Sequence, residues 1–251
     1  MAGVDGRVAL VTGAGRGIGR RTAELLAERG AKVMCVARSE PELASLGLDY
    51  AVADLGTEAG CNAAVEQTEK RLGPIEIFVC NHGLGSAHER VIWEQDPDVW
   101  RETMRINLDG PFYLSRRIVG RMVEQRYGRC VFTSSTAGLV AEHAGSAYNS
   151  SKHGLIGLMR SVATDGGEYG ITSNAVLPGW VHTEMAERSA AQEAKDRGTT
   201  VEQVWSDRAA LYRAGRVVTI DEVAEAIAFL ASEESSGISG EAIRVALGSR
   251  E

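Results

Sequence analysis

Cysteine, proline, aromatic residues and positive charge are all scarce in this chain. The four cysteines (Cys35, Cys61, Cys80 and Cys130) are widely spaced in 251 residues, with no CxxC pair. That spacing argues against a disulfide framework or a zinc site and predicts reduced thiols in a core, with no metal. Aromatic residues make up only 6%, and 27 basic residues face 34 acidic ones for a net charge of −7. Without a cationic stripe, nucleic acid is not an expected partner. No apolar run approaches the roughly 18 residues that span a bilayer, so no membrane partner is expected. From Met1 the chain passes almost directly into an apolar strand without a basic lead-in, and the expectation is a cytoplasmic protein.

What is abundant is glycine. There are 29 against 5 prolines, nearly 12% of the chain, where about 7% is usual, and no repeat of the collagen kind accompanies them. Between the glycines, short β-branched runs alternate with longer helical patterns. Strands are predicted at Arg7–Val11, Lys32–Ala37, Asp49–Ala53, Ile75–Cys80, Cys130–Thr133, Thr172–Leu177 and Ala242–Ala246. Helices are predicted at about Gly17–Arg29, Glu40–Leu46, Glu58–Leu72, Asp98–Gln125, Ser146–Glu168 and Asp221–Ser232. Parallel strands need crossover helices on both faces, so the alternation predicts an α/β, doubly wound parallel sheet in a single domain spanning 1–251. One stretch breaks the rhythm. From Trp180 to Arg216 the chain is polar and helix-prone, and its place after a strand's carboxyl end reads as a substrate lid or, more plainly, a structural insertion.

After the first strand stands Thr12-Gly13-Ala14-Gly15-Arg16-Gly17-Ile18-Gly19, opening a helix. A helix N-terminus after such a turn offers unpaired N–H groups and a positive dipole end to a pyrophosphate. Glycine lets the phosphates approach the backbone, although a turn that only packs helix on strand uses glycine too. The spacing is T-G-x-x-x-G-x-G, not G-x-G-x-x-G. The second strand ends Cys35-Val36-Ala37-Arg38, where an acid would bind ribose hydroxyls and mark NAD. A guanidinium at Arg38, with Arg16 able to approach the same group, instead suits a ribose phosphate and favours NADP(H), with NAD(H) still open. The plainer reading is two solvated surface arginines.

Tyr148 and Lys152 lie four apart at the start of a predicted helix and so share a face. A tyrosine with a pKa near 10 is a poor proton donor or acceptor at neutral pH. An ammonium ~4 Å away is expected to stabilise its phenolate by ~4 kcal/mol before desolvation. Six tyrosines and four lysines predict only about 0.1 accidental matches of this spacing. Ser135, just after the strand Cys130–Thr133, can hold a carbonyl oxygen beside Tyr148, and Ser134 is its neighbour and rival.

Together these motifs resemble those of the short-chain dehydrogenase/reductase family over essentially the whole chain. The family's glycine motif matches Thr12–Gly19, its adenine-side acid matches Asp54 beside Leu55, and its Asn-x-Gly matches Asn81-His82-Gly83. Its helix-borne asparagine matches Asn107, its Ser/Tyr/Lys set falls on Ser135, Tyr148 and Lys152, and its Pro-Gly matches Pro178-Gly179, followed by Val181 and Thr183. The resemblance implies a Rossmann-type fold and an NADPH-dependent oxidoreductase that interconverts a ketone and a secondary alcohol. It implies that Tyr148 donates the proton, Ser135 fixes the carbonyl, and Lys152 lowers the tyrosine pKa and binds the nicotinamide ribose. Asn107 is implied to hold a relay water, while Val181 and Thr183 anchor the carboxamide. The cofactor set it implies is Gly13, Arg16, Gly17, Ile18, Gly19, Arg38, Asp54, Leu55, Asn81, Gly83, Tyr148, Lys152, Pro178, Gly179, Val181 and Thr183. Two departures stand out: His82 occupies a position that is usually small, and Ala246-Leu247-Gly248 replaces the family's Asp-Gly-Gly. His82 is expected to be a packed ring, with a place near the cofactor as the alternative, and the spacing of Cys80, His82 and His88 fits no usual metal site.

The pocket is expected to be lined by the loop after Gly83, by Ala137–Ala147 and by the lid. Candidates are Leu84, Trp93, His143, Trp180, His182, Met185 and Trp205. The glycine turn with Arg16 resembles that of 3-oxoacyl-carrier-protein reductases, while Ala194–Gly198 resembles hydroxybutyrate dehydrogenases. The leading substrate is therefore a small-molecule or acyl-thioester carbonyl. A hydroxy acid, sugar or cyclic alcohol is the alternative, and a non-catalytic nucleotide sensor is the rival of another class. Apolar residues on more than one face of Asp98–Gln125 and Ser146–Glu168 predict a subunit contact, and the resemblance implies a homotetramer.

Overall fold

In the computed structural model, which describes residues 3–86 and 88–249, seven strands alternate with nine helices. The outermost residues of the predicted domain span lie outside that range. β1 (Val8–Thr12), β4 (Ile77–Cys80), β5 (Gly128–Thr133) and β6 (Ile171–Pro178) are buried along their whole length. Such strands are apolar on both sides because helices cover both faces. With β2 (Lys32–Ala37), β3 (Asp49–Val52) and β7 (Ala242–Val245) they form one parallel sheet in the order β3-β2-β1-β4-β5-β6-β7. The predicted doubly wound sheet is therefore present.

α1 (Gly17–Glu28) and α9 (Ile220–Leu230) cover one face, closing a core around Val11, Leu26, Val33 and Ile227. α3 (Glu58–Leu72), α5 (Gly110–Gln125) and α6 (Ser146–Gly166) cover the other, around Phe78, Phe132, Ile118 and Leu155. α2 (Glu40–Ala44) is as short as expected. The winding direction reverses between β1 and β4. In an open α/β sheet, the loops at the carboxyl ends of two such strands part and leave a crevice.

One expectation needs correction. The predicted helix Asp98–Gln125 is two helices, α4 (Pro97–Met104) and α5, joined by a π turn at Arg105–Asp109. Pro111 has no N–H to return to the carbonyl of Asn107, four residues back, so the α pattern widens there. Arg126 makes the left-handed turn between α5 and β5, at φ 55°, and Gly128 packs against Met122. The irregular stretch from 180 to 216 contains α7 (Glu184–Arg197) and α8 (Val201–Ala210), which share a small core of Ala190, Ala194 and Val204. Arg208 is buried beneath it with its guanidinium 3.6 Å from the Trp180 ring centre, and it bonds the Ala186 carbonyl and Glu193. Among the described residues no helix is long and apolar enough to cross a membrane.

Candidate active site

The loops after β1 and β4 are fastened to each other at the crevice. The Thr12 hydroxyl accepts the backbone N–H groups of Asn81 (2.9 Å) and His82 (3.2 Å). Gly13 sits at φ +65°, and a Cβ there would come within 2.9 Å of His82 Cα. A Cβ on Gly19 would strike the Gly13 carbonyl oxygen and Asn81 Nδ2. The turn thus depends on absent side chains. No side chain caps α1 at Arg16, and Gly13, Gly15, Gly17 and Ile18 form cleft wall, so the positive end of that helix opens into the cleft. A glycine cradle at a helix N-terminus fits the pyrophosphate of a dinucleotide.

At one end of the cleft lie Ala37, Arg38, Ser39, Glu42, Asp54 and Leu55. No acid ends β2, and among the described residues Arg38 makes no hydrogen bond or salt bridge. Arg16 departs from expectation. Its Nη1 bonds both oxygens of Glu184 at 2.9 and 2.8 Å and lies 3.6 Å from Glu42, so two carboxylates already hold it. The Gly56 N–H and the Arg105 guanidinium (3.1 Å) hold the Asp54 carboxyl below the usual range.

At the other end the first turns of α6 bring Tyr148 and Lys152 to the wall, facing Ser135 at the end of β5. Tyr148 and Ser135 lie together on the wall of the cleft, where the Ser135 hydroxyl favours the ionised phenol. Ser134 is spent elsewhere: its hydroxyl is buried and donates to the Lys152 carbonyl at 3.0 Å. Lys152 Nζ donates to the Thr133 carbonyl at 2.9 Å and stands 5.7 Å from the Tyr148 ring centre. Burial pushes Tyr148 up to about 12, and Glu142 and Glu89 add to the rise. Burial brings Lys152 down to about 8. In the protein alone, burial is the largest influence on the tyrosine and raises it.

Asn107 stands deeper than the wall. It is fully buried behind the wall, in the π turn. Its Oδ1 accepts from Leu84 N (2.7 Å), and its Nδ2 donates to the Leu84 carbonyl (3.0 Å) and to Ser151 Oγ (3.1 Å). Both amide hydrogens are used, so this side chain holds the loop. Gly19 likewise lies behind the wall, whereas Gly13, Arg16, Gly17, Ile18, Arg38, Asp54, Leu55, Asn81, Gly83, Pro178, Gly179, Val181 and Thr183 all line it. Gly179 is glycine because of Tyr212, whose hydroxyl fills the space a Cβ would need and accepts from Trp180 N at 2.6 Å. The Thr183 hydroxyl caps α7 by accepting from Ala186 N at 3.3 Å.

Of the expected pocket residues, Leu84, Trp180 and Met185 line the cleft. Trp93 points to solvent at 79% exposure, and His182 stacks on Trp205 at 4.3 Å within the inserted helices. His143 is likewise not part of the wall. His82 lines the cleft, with Nδ1 2.8 Å from the Thr12 hydroxyl, and burial keeps it neutral with a pKa of about 3. Among the described residues no three His, Cys, Asp or Glu converge on a metal position. Sequence reasoning missed Ser39, Glu42, Glu142 and Glu184 on the wall, and Glu89 and Ser151 behind it. Only Ser39 had a local signal, as the residue following Arg38.

Comparison with known proteins agrees with this geometry. A family model described as enoyl-(acyl carrier protein) reductase matches residues 13–250. The 3-oxoacyl-[acyl-carrier-protein] reductase FabG of Escherichia coli (strain K12) is 34% identical over 248 residues, covering 96% of each chain. Among solved structures, levodione reductase superposes with a TM-score of 0.93 at 30% identity over 97% of each chain. A variant of actinorhodin polyketide ketoreductase with NADPH superposes at 0.89, with 30% identity over 96% of each chain. The chain belongs to the short-chain dehydrogenase/reductase family, and it is an NAD(P)-dependent oxidoreductase acting between ketone and alcohol.

Proposed function

We propose that this chain is an NADPH-dependent ketoreductase whose substrate carries a 3-oxoacyl-thioester or similar uncharged carbonyl. The observation that carries this reading is the meeting of Ser135, Tyr148 and Lys152 in the same cleft as the glycine turn. When bound, the nicotinamide cofactor supplies the hydride. Gly13, Gly17, Ile18 and the α1 N-terminus hold its phosphates, with Gly19 and Asn81 shaping the turn. Arg38 takes a ribose phosphate, and Asp54, Leu55, Gly83, Pro178, Gly179, Val181 and Thr183 enclose the rest. Ser135 holds the carbonyl oxygen, and the Tyr148 hydroxyl gives up its proton to it. Lys152 supports the phenolate left behind and holds a ribose. The helices between 180 and 216 act as the substrate lid of a single domain. Glu142, a carboxylate on the wall near Tyr148, disfavours free hydroxy acids relative to a thioester.

A 3-oxoacyl thioester, a β-hydroxy acid, a sugar and a cyclic ketone or alcohol, each offered with NADPH or NADP+, test the substrate reading. The thioester should give the highest kcat/KM, and preference for the free acid would overturn it. For the cofactor, Arg38→Ala should weaken NADPH by about 10- to 100-fold, as expected when a charge-assisted bond of about 1.5–3 kcal/mol is lost. NADH affinity should be unaffected, as titration of both would show. Equal losses would make Arg38 a surface residue.

The pH dependence follows from the two shifted groups. Tyr148, at about 12, stays protonated and ready to donate, while Lys152 loses its charge through about 8. The reduction rate should therefore be flat through neutrality and fall as pH rises through about 8, and Lys152→Met should remove that step. The four buried, unpaired cysteines fit a reducing, cytoplasmic setting. Trp100 and Phe112, exposed on α4 and α5 at 36% and 49%, support a homotetramer.

A further inference from the structure

Glu89 is a buried carboxylate, 4% exposed, with no salt bridge among the described residues. Its two oxygens accept the N–H groups of Ala147 (2.8 Å) and Tyr148 (2.7 Å). These belong to the first turn of α6, where the N-cap is Gly145 and no side chain of its own can cap. A carboxylate 58 residues away in sequence does that work instead, and the positive helix end takes the place of a cation.

The same loop reaches Tyr148 by a second route. Leu84 is held by Asn107, Asn107 donates to Ser151, and the Ser151 hydroxyl donates to the Tyr148 carbonyl at 2.8 Å. Both backbone polar groups of Tyr148 are thus tied to the segment 84–89, whose first residues line the cleft. We propose that Glu89 is a positioning residue for the reduction, its carboxylate fixing the first turn of α6 so that the Tyr148 hydroxyl stands where the carbonyl oxygen arrives. The inference rests on the reading of Tyr148 as proton donor. A displacement of about 1 Å at such a group is enough to cost about 100-fold in rate.

The test compares wild type, Glu89→Gln and Glu89→Asp. Glutamine offers one acceptor and turns an NH2 toward the other N–H, so kcat should fall about tenfold or more, with NADPH affinity changed less than about twofold. Aspartate keeps both acceptors on a shorter stem and should recover part of the loss. The charged groups facing Tyr148 are Glu89, Glu142 and Lys152. Removing the Glu89 charge makes Tyr148 easier to ionise. The rising limb of alcohol oxidation should therefore move to lower pH in the glutamine variant and stay in place in the aspartate variant. A Glu89→Gln kcat within about twofold of wild type overturns the proposal. So does a joint loss of kcat, NADPH affinity and melting temperature in both variants with no movement of the pH limb, which marks a merely structural cap. If wild type itself oxidises NADPH with no ketone, the reading of Tyr148 fails first and this inference with it.

Discussion

Tyr148→Phe should bind NADPH as wild type does and reduce ketones about 10²–10⁴-fold more slowly, the range a positioned general acid contributes. The substitution removes one oxygen and leaves a ring of the same shape on the same helix. Ser135 keeps its bond to Ala137 N at 3.2 Å, and Lys152 keeps its bond to the Thr133 carbonyl, so the wall of the cleft persists. What disappears is the phenol hydroxyl that shares the cleft wall with Ser135. Stopped-flow oxidation of NADPH, set beside fluorescence titration of the cofactor, separates the two effects. A variant that keeps near-wild-type turnover would remove Tyr148 from the chemistry.

Gly19→Ala should abolish cofactor binding and lower the melting temperature. Intrinsic propensity alone points the other way, since alanine in a helix is favoured over glycine by about 1 kcal/mol. Sterics win here because the new methyl would lie against the Gly13 carbonyl oxygen and Asn81 Nδ2, both in the fastened loops of the crevice. Overpacking of this kind costs about 1–3 kcal/mol, and the backbone must move where the pyrophosphate would lie. The control is Gly120→Ala in α5, where a Cβ meets nothing within 4 Å. That variant should be stabilised by about 0.5–1 kcal/mol and bind NADPH normally. Thermal melts and titrations of both variants check the contrast, and equal behaviour would mean that the turn tolerates a side chain at Gly19.

The strands and the glycine turn were legible because their signals are local. Residues 32–37 read as a strand from their β-branched run, and 58–72 as a helix whose N-cap, Thr57, accepts from Gly60 N. Tyr148 and Lys152 were legible because helical spacing alone puts them on one face. The break at Pro111 is also a local signal, masked by the strong helical pattern on either side of it. What stayed hidden is pairing at a distance. Arg16 reads as an anion binder, but Glu184, 168 residues on, occupies it. Glu89 carries no motif, since its role exists only because Gly145 leaves a helix end uncapped far along the chain. Burial is not legible in a four-residue spacing, and in the protein alone it raises the tyrosine. His182 and Trp205 read as pocket residues, yet stacking between them closes the inserted helices on themselves.

The central claim is that this cleft carries a hydride to a ketone with Tyr148 as proton source. A single-turnover reaction with NADPH deuterated at the transferable position, followed by mass analysis of the product, tests it most directly. Wild type should place one deuterium on the carbinol carbon for each NADPH oxidised, and Tyr148→Phe none in the same time. Recovery of unlabelled ketone and intact NADPH from a wild-type complex shown to bind the cofactor would contradict it and leave the chain a nucleotide-binding sensor.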